Sequence, residues 1–326
     1  MSPYYEQTNL DATTQSDENK LVRTALTKYP EPYLSGLKLN ADVEINGLTL
    51  NTIDANNVVW VVSDIDGWWT LPENELPDLP RGWGDGSYDA IGRWSNRILT
   101  LNGSFMPQSP EDAPAARNAL IEAISLIKTG GWLIVYEDGT NENGKAAYVR
   151  LSGVPQIASV NARGRHDFSI GLKAVDPIKY EFVDGHPDGY NSVTITPTAG
   201  QGTATIENIG NVPVPIVIEL SKNFAVVDPE DAPPTITNDA NDQSITIIAG
   251  TSATNKLEID TYNREVLEVQ YDTVDPNKVV NVSNGRAKVS VLIDWIYLQP
   301  GENDINLTDF PSGSTCTILY RSGWIG

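Results

Sequence analysis

Two aspartates beside two tryptophans come closest to recognisable chemistry. Asp64 and Asp66 lie in SDIDGWW, directly before Trp68 and Trp69. Paired carboxylates cleave glycosides, and tryptophan stacks on sugar rings, so a glycosidase pair belongs here if anywhere. The background argues against it: with 43 acidic residues in 326, neighbouring acids arise by chance. The two histidines, His166 in RGRHDF and His186 in DGHPDG, have no second ligand at helical spacing, and both read as loop residues. Cys316, the single cysteine, sits in STCTILY and reads as a small strand residue, not a nucleophile. It also excludes an intramolecular disulfide framework. Gly82, Gly84 and Gly86 alternate in RGWGDG without the strand-to-helix context of a phosphate loop, so they read as turn glycines. DGTNENG (138–144) misses the calcium-loop spacing and reads as a hairpin tip. The chain is therefore expected to be no enzyme, with no catalytic residue, no cofactor and no metal.

The eight tryptophans say more. Trp68, Trp69, Trp83 and Trp94, with Tyr88, cluster in or beside one long segment, residues 72–96. That segment is rich in Pro, Gly and Asp, shows no hydrophobic period, and exceeds an ordinary connection. Its aromatics fit an ordered or partner-bound loop, and these five residues are the candidate interface. The competing reading is that they cover the loop's own core.

The elements around it are mostly strands. Leu99, Leu101, Gly103 and Phe105 alternate, as do Phe168, Ile170, Leu172 and Ala174. Val43 and Ile45, then Leu48 and Leu50, flank Asn46-Gly47, a hairpin signal because both turn positions favour positive φ. One helix stands out. Ser109, Pro110, Glu111 and Asp112 are suited to opening it, and Ala113, Ala116, Leu120, Ile124 and Ile127 form one apolar stripe. Thr129-Gly130-Gly131 ends it. Beyond VDGHPDGYNS (183–192) the pattern is wholly β: 214–220, 245–247, 257–259, 267–269, a hairpin at Asn284-Gly285, a strand through Val289, Val291, Ile293 and Trp295, and a closing TCTILY. The fold class is mainly β: a β-sandwich packed by one helix, then an antiparallel β-sandwich.

The net charge of −21 disfavours tight binding to phosphate backbones and favours solubility. Apolar runs such as WLIVY are too short to span a bilayer, and the N-terminal residues do not read as a secretory signal. Residues 1–38 read as a polar arm, suited to a neighbouring surface or else disordered. Residues 39–185 read as the first domain and 186–326 as the second.

Several stretches in order carry a family resemblance. VEINGLTL, the WW-to-RGWGDG loop, RILTLNGSF, the capped helix, WLIVYEDG and DFSIGLKAVDPIKY resemble the distal tail proteins of long-tailed bacteriophages, most of all the minor tail proteins of phages infecting actinobacteria. ATIENIGNVPVPIVIEL, LEIDTYNREV and WIYLQPGENDINL look like that family's galectin-like C-terminal sandwich. The resemblance covers roughly residues 40–326, and the order of the stretches carries it. It implies a homo-hexameric ring at the distal end of the tail in the virion. The first domain would form the ring and meet the tail tube, the tape measure and the tail-tip or baseplate hub proteins. The second would project outward, and DNA would pass through the channel without sequence-specific binding. No membrane is implied. The alternative is a carbohydrate-binding module at the tail tip that recognises host cell-wall glycans.

Overall fold

The computed structural model describes residues 41–326 apart from 77–78, 82, 84, 86, 89–91, 138–143, 161–163, 184, 222–223, 225–231, 253, 276 and 291–292. The arm, the 138–143 tip and the glycines of RGWGDG lie outside the described residues. Contacts divide the chain into two compact units. The described part of the first comprises 41–70, 97–137 and 148–174, and of the second 71–96, 144–147 and 175–326.

The chain is mainly β, as its alternation requires. β1 (Asp42–Ile45) and β2 (Leu48–Leu50) pair antiparallel through Ile45↔Leu48. Asn46 and Gly47 have φ of 48° and 86°, the tight turn expected there. β3 (Val59–Asp66) follows. Four short strands come next: β4 (Asn74–Glu75), β5 (Leu79–Pro80), β6 (Ser87–Tyr88) and β7 (Arg93–Trp94). After them come β8 (Arg97–Met106), α1 (Ala113–Leu126), β9 (Gly131–Tyr136), β10 (Gly144–Leu151), β11 (Gln156–Ser159) and β12 (His166–Ala174). The sheet order is β2-β1-β9-β10-β12-β8-β3, with β11 added on β12. Leu99, Leu101, Phe105, Phe168, Ile170 and Leu172 are buried, so the sequence alternation is the core face.

Ala113, Ala116, Leu120, Ile124 and Ile127 are buried along α1, as their spacing requires. The helix opens differently from expectation. Pro110–Asp112 form a 3-10 turn; Ser109 Oγ accepts from no backbone amide of the turn and donates to the Asp112 carboxylate at 2.8 Å.

The second unit is a two-sheet sandwich. One sheet runs β14 (Asn191–Ile195), β25 (Cys316–Tyr320), β17 (Val217–Leu220), β20 (Asn255–Asp260), β21 (Glu265–Tyr271), β22 (Val279–Asn284). The other runs β15 (Gly202–Asn208), β24 (Gly301–Thr308), β18 (Thr235–Asn238), β19 (Gln243–Thr246). Ile218, Leu220, Leu257, Ile259, Cys316 and Ile318 from the first sheet share a core with Ile206, Ile236, Ile245, Ile305 and Leu307 from the second. β13 (Lys179–Glu181) pairs with Lys145 and Ala146 and with β26 (Gly323–Trp324). Among the described residues β16 (Val214–Pro215) pairs only with β23 (Tyr297–Leu298), an edge position fit for proline.

A buried amide secures the turn before β24. Asn303 accepts from Gln299 N at 2.7 Å and from Asn238 Nδ2 at 3.1 Å, and donates to Gln299 O at 2.8 Å and Gly301 O at 2.9 Å. Both its donors and its acceptor are used, which makes its burial tolerable.

Two expectations fail here. Asn284-Gly285 is not a two-residue hairpin. Gly285 has φ −92°, Asn284 Oδ1 accepts from Arg286 N at 2.8 Å, and a 3-10 turn, Arg286–Lys288, follows. A Cβ at Gly285 would meet Leu257 Cδ1 at 2.9 Å and Leu267 backbone at 3.1 Å, so close approach, not positive φ, selects glycine. The strand expected through Trp295 is also absent among the described residues. Val289 makes a single bridge to Ile247, and Ile293 and Trp295 only pack against the core edge.

Candidate interface: an aromatic hairpin

β3 ends at a turn that needs glycine. Gly67 has φ 83°, and a Cβ there would clash with the Ile98 carbonyl. Arg97, 1% exposed, fills the space beneath this turn. Its Nη1 donates to Gly67 O at 2.8 Å, Thr70 O at 2.7 Å and Trp68 O at 3.3 Å. Burial lowers its pKa from the ordinary value, yet the charge is retained because three carbonyls face it.

The same turn separates the two adjacent tryptophans. Trp68 is 0% exposed, with Nε1 donating to Glu137 Oε1 at 3.1 Å. It belongs to the core of its own unit, which corrects its place among the interface candidates. Trp69 is 45% exposed and remains one.

Residues 72–96, expected to lack regular structure, contain an antiparallel hairpin within the second unit. β4 pairs with β7 through Asn74↔Trp94 and Glu75↔Arg93. β5 pairs with β6 through Leu79↔Tyr88 and Pro80↔Ser87. Glu73 O accepts from Ser95 N at 2.8 Å at its base. Each ladder is two residues long, too short to show a period in sequence. Trp94 is 45% exposed, and Trp83, beyond the β5–β6 ladder, is 97% exposed. Leu71 and Leu76 are exposed as well. A tryptophan with almost its whole surface in water gives little stability to its own unit. Tyr88 is placed by its backbone pairing with Leu79.

The residues suspected of chemistry do not converge. Asp64 and Asp66 are exposed on β3. His166 is not in a loop: it is a buried β12 residue stacked on Phe105, with ring centroids 4.9 Å apart, and its Nδ1 lies 2.9 Å from Gly164 O. Its place follows from the β12 alternation, which begins two residues before Phe168. His186 lies in a turn closed by a bridge to Val183. Cys316 is fully buried in β25, which pushes its thiol pKa up. Among the described residues no three His, Cys, Asp or Glu side chains are grouped to hold a metal ion, and no helix is long and apolar enough to cross a membrane.

One polar cluster was missed from sequence. In the second unit Arg321 lies over the rings of Tyr180 and Tyr190, at 4.5 and 4.6 Å, and donates to Pro187 O at 2.9 Å. Tyr180 donates to Asp176 Oδ2 at 2.7 Å. Tyr262 also bonds Asp176, and burial together with that carboxylate pushes its pKa up to about 12. Tyr190 and Tyr262 are half-exposed. The five aromatic and charged positions are scattered in sequence, so no spacing signals them.

The Dit protein (gp 19.1) of phage SPP1, called a paradigm of the hub adsorption apparatus in phages infecting Gram-positive bacteria, has a similar fold. The match has a TM-score of 0.54 at 14% identity and covers 86% of this chain and 98% of that chain. Structures of the phage P2 baseplate in its activated conformation, with Ca and with Sr, align at TM-scores of 0.43 and 0.41. Their identities are 9% and 10%, with 86% of this chain and 97% of theirs covered. No protein-family model and no curated protein sequence matches the chain.

Proposed function

We propose that this chain is a distal tail protein, a structural component of the virion at the far end of a long phage tail. Six copies form a ring that continues the tail tube, meets the tape measure and tail-tip or baseplate proteins, and leaves a channel for DNA. The two-sheet second unit is its galectin-like domain. The observation that carries the reading is the fold likeness to SPP1 Dit over 98% of that protein. The exposed aromatic hairpin supports it, because a ring needs an apolar anchor on each copy. The charge of −21 supports it too, since an acidic channel wall lets DNA slide without sticking. The fold likeness gives no support to an actinobacterial host in particular. Electron microscopy and mass measurement of the purified chain, alone and with its tail-tube partner, should show six-fold rings with a central channel. A particle that stays monomeric in both conditions would end the proposal.

A second reading, a glycan-binding module, draws on Tyr190 and Tyr262, which stand half-exposed around Arg321 and Asp176. Half-exposed aromatic rings beside charged groups suit a sugar ring. On this reading host cell-wall saccharides bind the full chain saturably, and Tyr190→Ala weakens that binding at least tenfold. Unsaturable binding, or binding indifferent to Tyr190, removes this second reading.

A further inference from the structure

Three side chains from separate strands of the second unit meet at one carboxylate oxygen. Asn255 opens β20, Glu268 lies in β21, and Lys288 closes the 3-10 turn after β22. The register sets Glu268 opposite Leu257, on the sheet face that carries Leu257 into the core. The side chains of Glu268 and Lys288 are accordingly only 16% and 25% exposed. Glu268 Oε1 accepts from Asn255 Nδ2 at 2.8 Å and stands 3.6 Å from Lys288 Nζ. At the other end of the carboxamide, Thr254 Oγ1 donates to Asn255 Oδ1 at 3.1 Å. Lys288 Nζ also donates to Gly250 O at 2.6 Å.

A structural ion pair needs only the lysine and the glutamate. The carboxamide on the same oxygen, and the hydroxyl on its carbonyl, answer a different need. An amine attacks an amide carbon slowly in water. It must shed a proton, the leaving nitrogen must gain one, and charge builds on the carbonyl oxygen. Here Glu268 Oε1 touches both nitrogens, so one oxygen serves both proton transfers. Thr254 donates to the oxygen on which charge builds. The fold keeps amine and amide together, which replaces a rare encounter. To attack, Nζ leaves the Gly250 carbonyl and closes on Cγ by turning about its own flexible stem.

We infer that Lys288 and Asn255 join in an intramolecular isopeptide bond, made by the folded chain itself. The Nζ–Cγ bond forms and the Cγ–Nδ2 bond breaks. The amide nitrogen departs as ammonium, with its own hydrogens and two taken from Nζ by way of Glu268. Nothing is oxidised or reduced, and no co-reactant is consumed. The bond closes residues 255–288 into a covalent loop around β20, β21 and β22, and fastens the end of β22, the last strand of its sheet. The inference does not rest on the ring reading.

The test is the mass of the full chain after prolonged incubation at neutral pH. It is expected to fall short of the sequence mass by one ammonia. Trypsin should then leave Lys288 uncut and release residues 223–256 joined to 287–321 as one fragment. Glu268→Gln and Lys288→Arg should each restore the full mass and the separate fragments. An unaltered chain of full mass overturns the inference, and the cluster is then an ion-pair network only. So does a mass short by one water, which puts the bond on a carboxylate, or a link that survives Glu268→Gln. Ring formation is scored in the same samples. Rings of full-mass chains sink this inference and leave the hub reading standing, and cross-linked chains that stay monomeric do the reverse.

Discussion

Changing Trp83 and Trp94 together to alanine is expected to abolish ring assembly at concentrations where the unaltered chain assembles, with little effect on folding. Trp83 is 97% exposed, so its removal takes almost nothing from the protomer. Trp94 is 45% exposed, and its ladder contact to Asn74 is made by backbone atoms that alanine retains. Exposed substitutions of this kind usually move stability by no more than about 0.5 kcal/mol. An anchoring tryptophan in an interface is worth about 2–4 kcal/mol, or roughly 30- to 1,000-fold in affinity per contact. A closed ring uses each interface in every copy, so the loss recurs around the ring. On the proposed ring reading, mass photometry should find monomers where the unaltered chain gives hexamers, and thermal melts of the two should coincide. Rings that persist in the double variant would mean the hairpin serves another purpose and the ring closes through a different surface.

The parts legible in sequence are those decided by local geometry. Asn46-Gly47 gave away its turn because positive φ at two successive residues has few chemical solutions. The α1 stripe and the β8 and β12 alternations were legible because one face of each element is buried. Asn284-Gly285 shows where this stops. The dipeptide is the same, but here the glycine answers to Leu257 and Leu267, which approach it from strands 18 or more residues away in sequence. The hairpin at 72–96 hid for a related reason. Its ladders join residues such as Glu75 and Arg93, and nothing within either two-residue strand records the pairing. Trp68 and Trp69 are neighbours in sequence with similar propensities, yet one is core and the other half in water. The turn at Gly67, held by Arg97 from outside the segment, makes that assignment.

Arg97 is therefore a residue whose loss should cost the first unit heavily. Replacing it with methionine keeps much of the side-chain volume and removes the donors. The carbonyls of Gly67, Trp68 and Thr70 then lose a charged donor inside the protein. A buried acceptor left unpaired costs about 1–3 kcal/mol, so three carbonyls that lose one shared donor together cost about 3–5 kcal/mol. Arg97→Met should accordingly lower unfolding stability by about 3–5 kcal/mol in urea titrations. Arg97→Lys should recover only part, because an ammonium keeps the charge but, on a shorter side chain, cannot stand where Nη1 meets the three carbonyls. A loss below about 1 kcal/mol for the methionine variant would mean water or a rearranged turn satisfies those carbonyls, and the guanidinium would not be what holds the turn. The pattern across variants then separates two routes to the same failure of assembly. Arg97→Met should reduce rings only as far as it unfolds the first unit, and lowering the temperature within the range where stability rises should restore them. The Trp83/Trp94 double variant should stay folded and ring-free at every temperature, because what it lacks is the contact and not the fold.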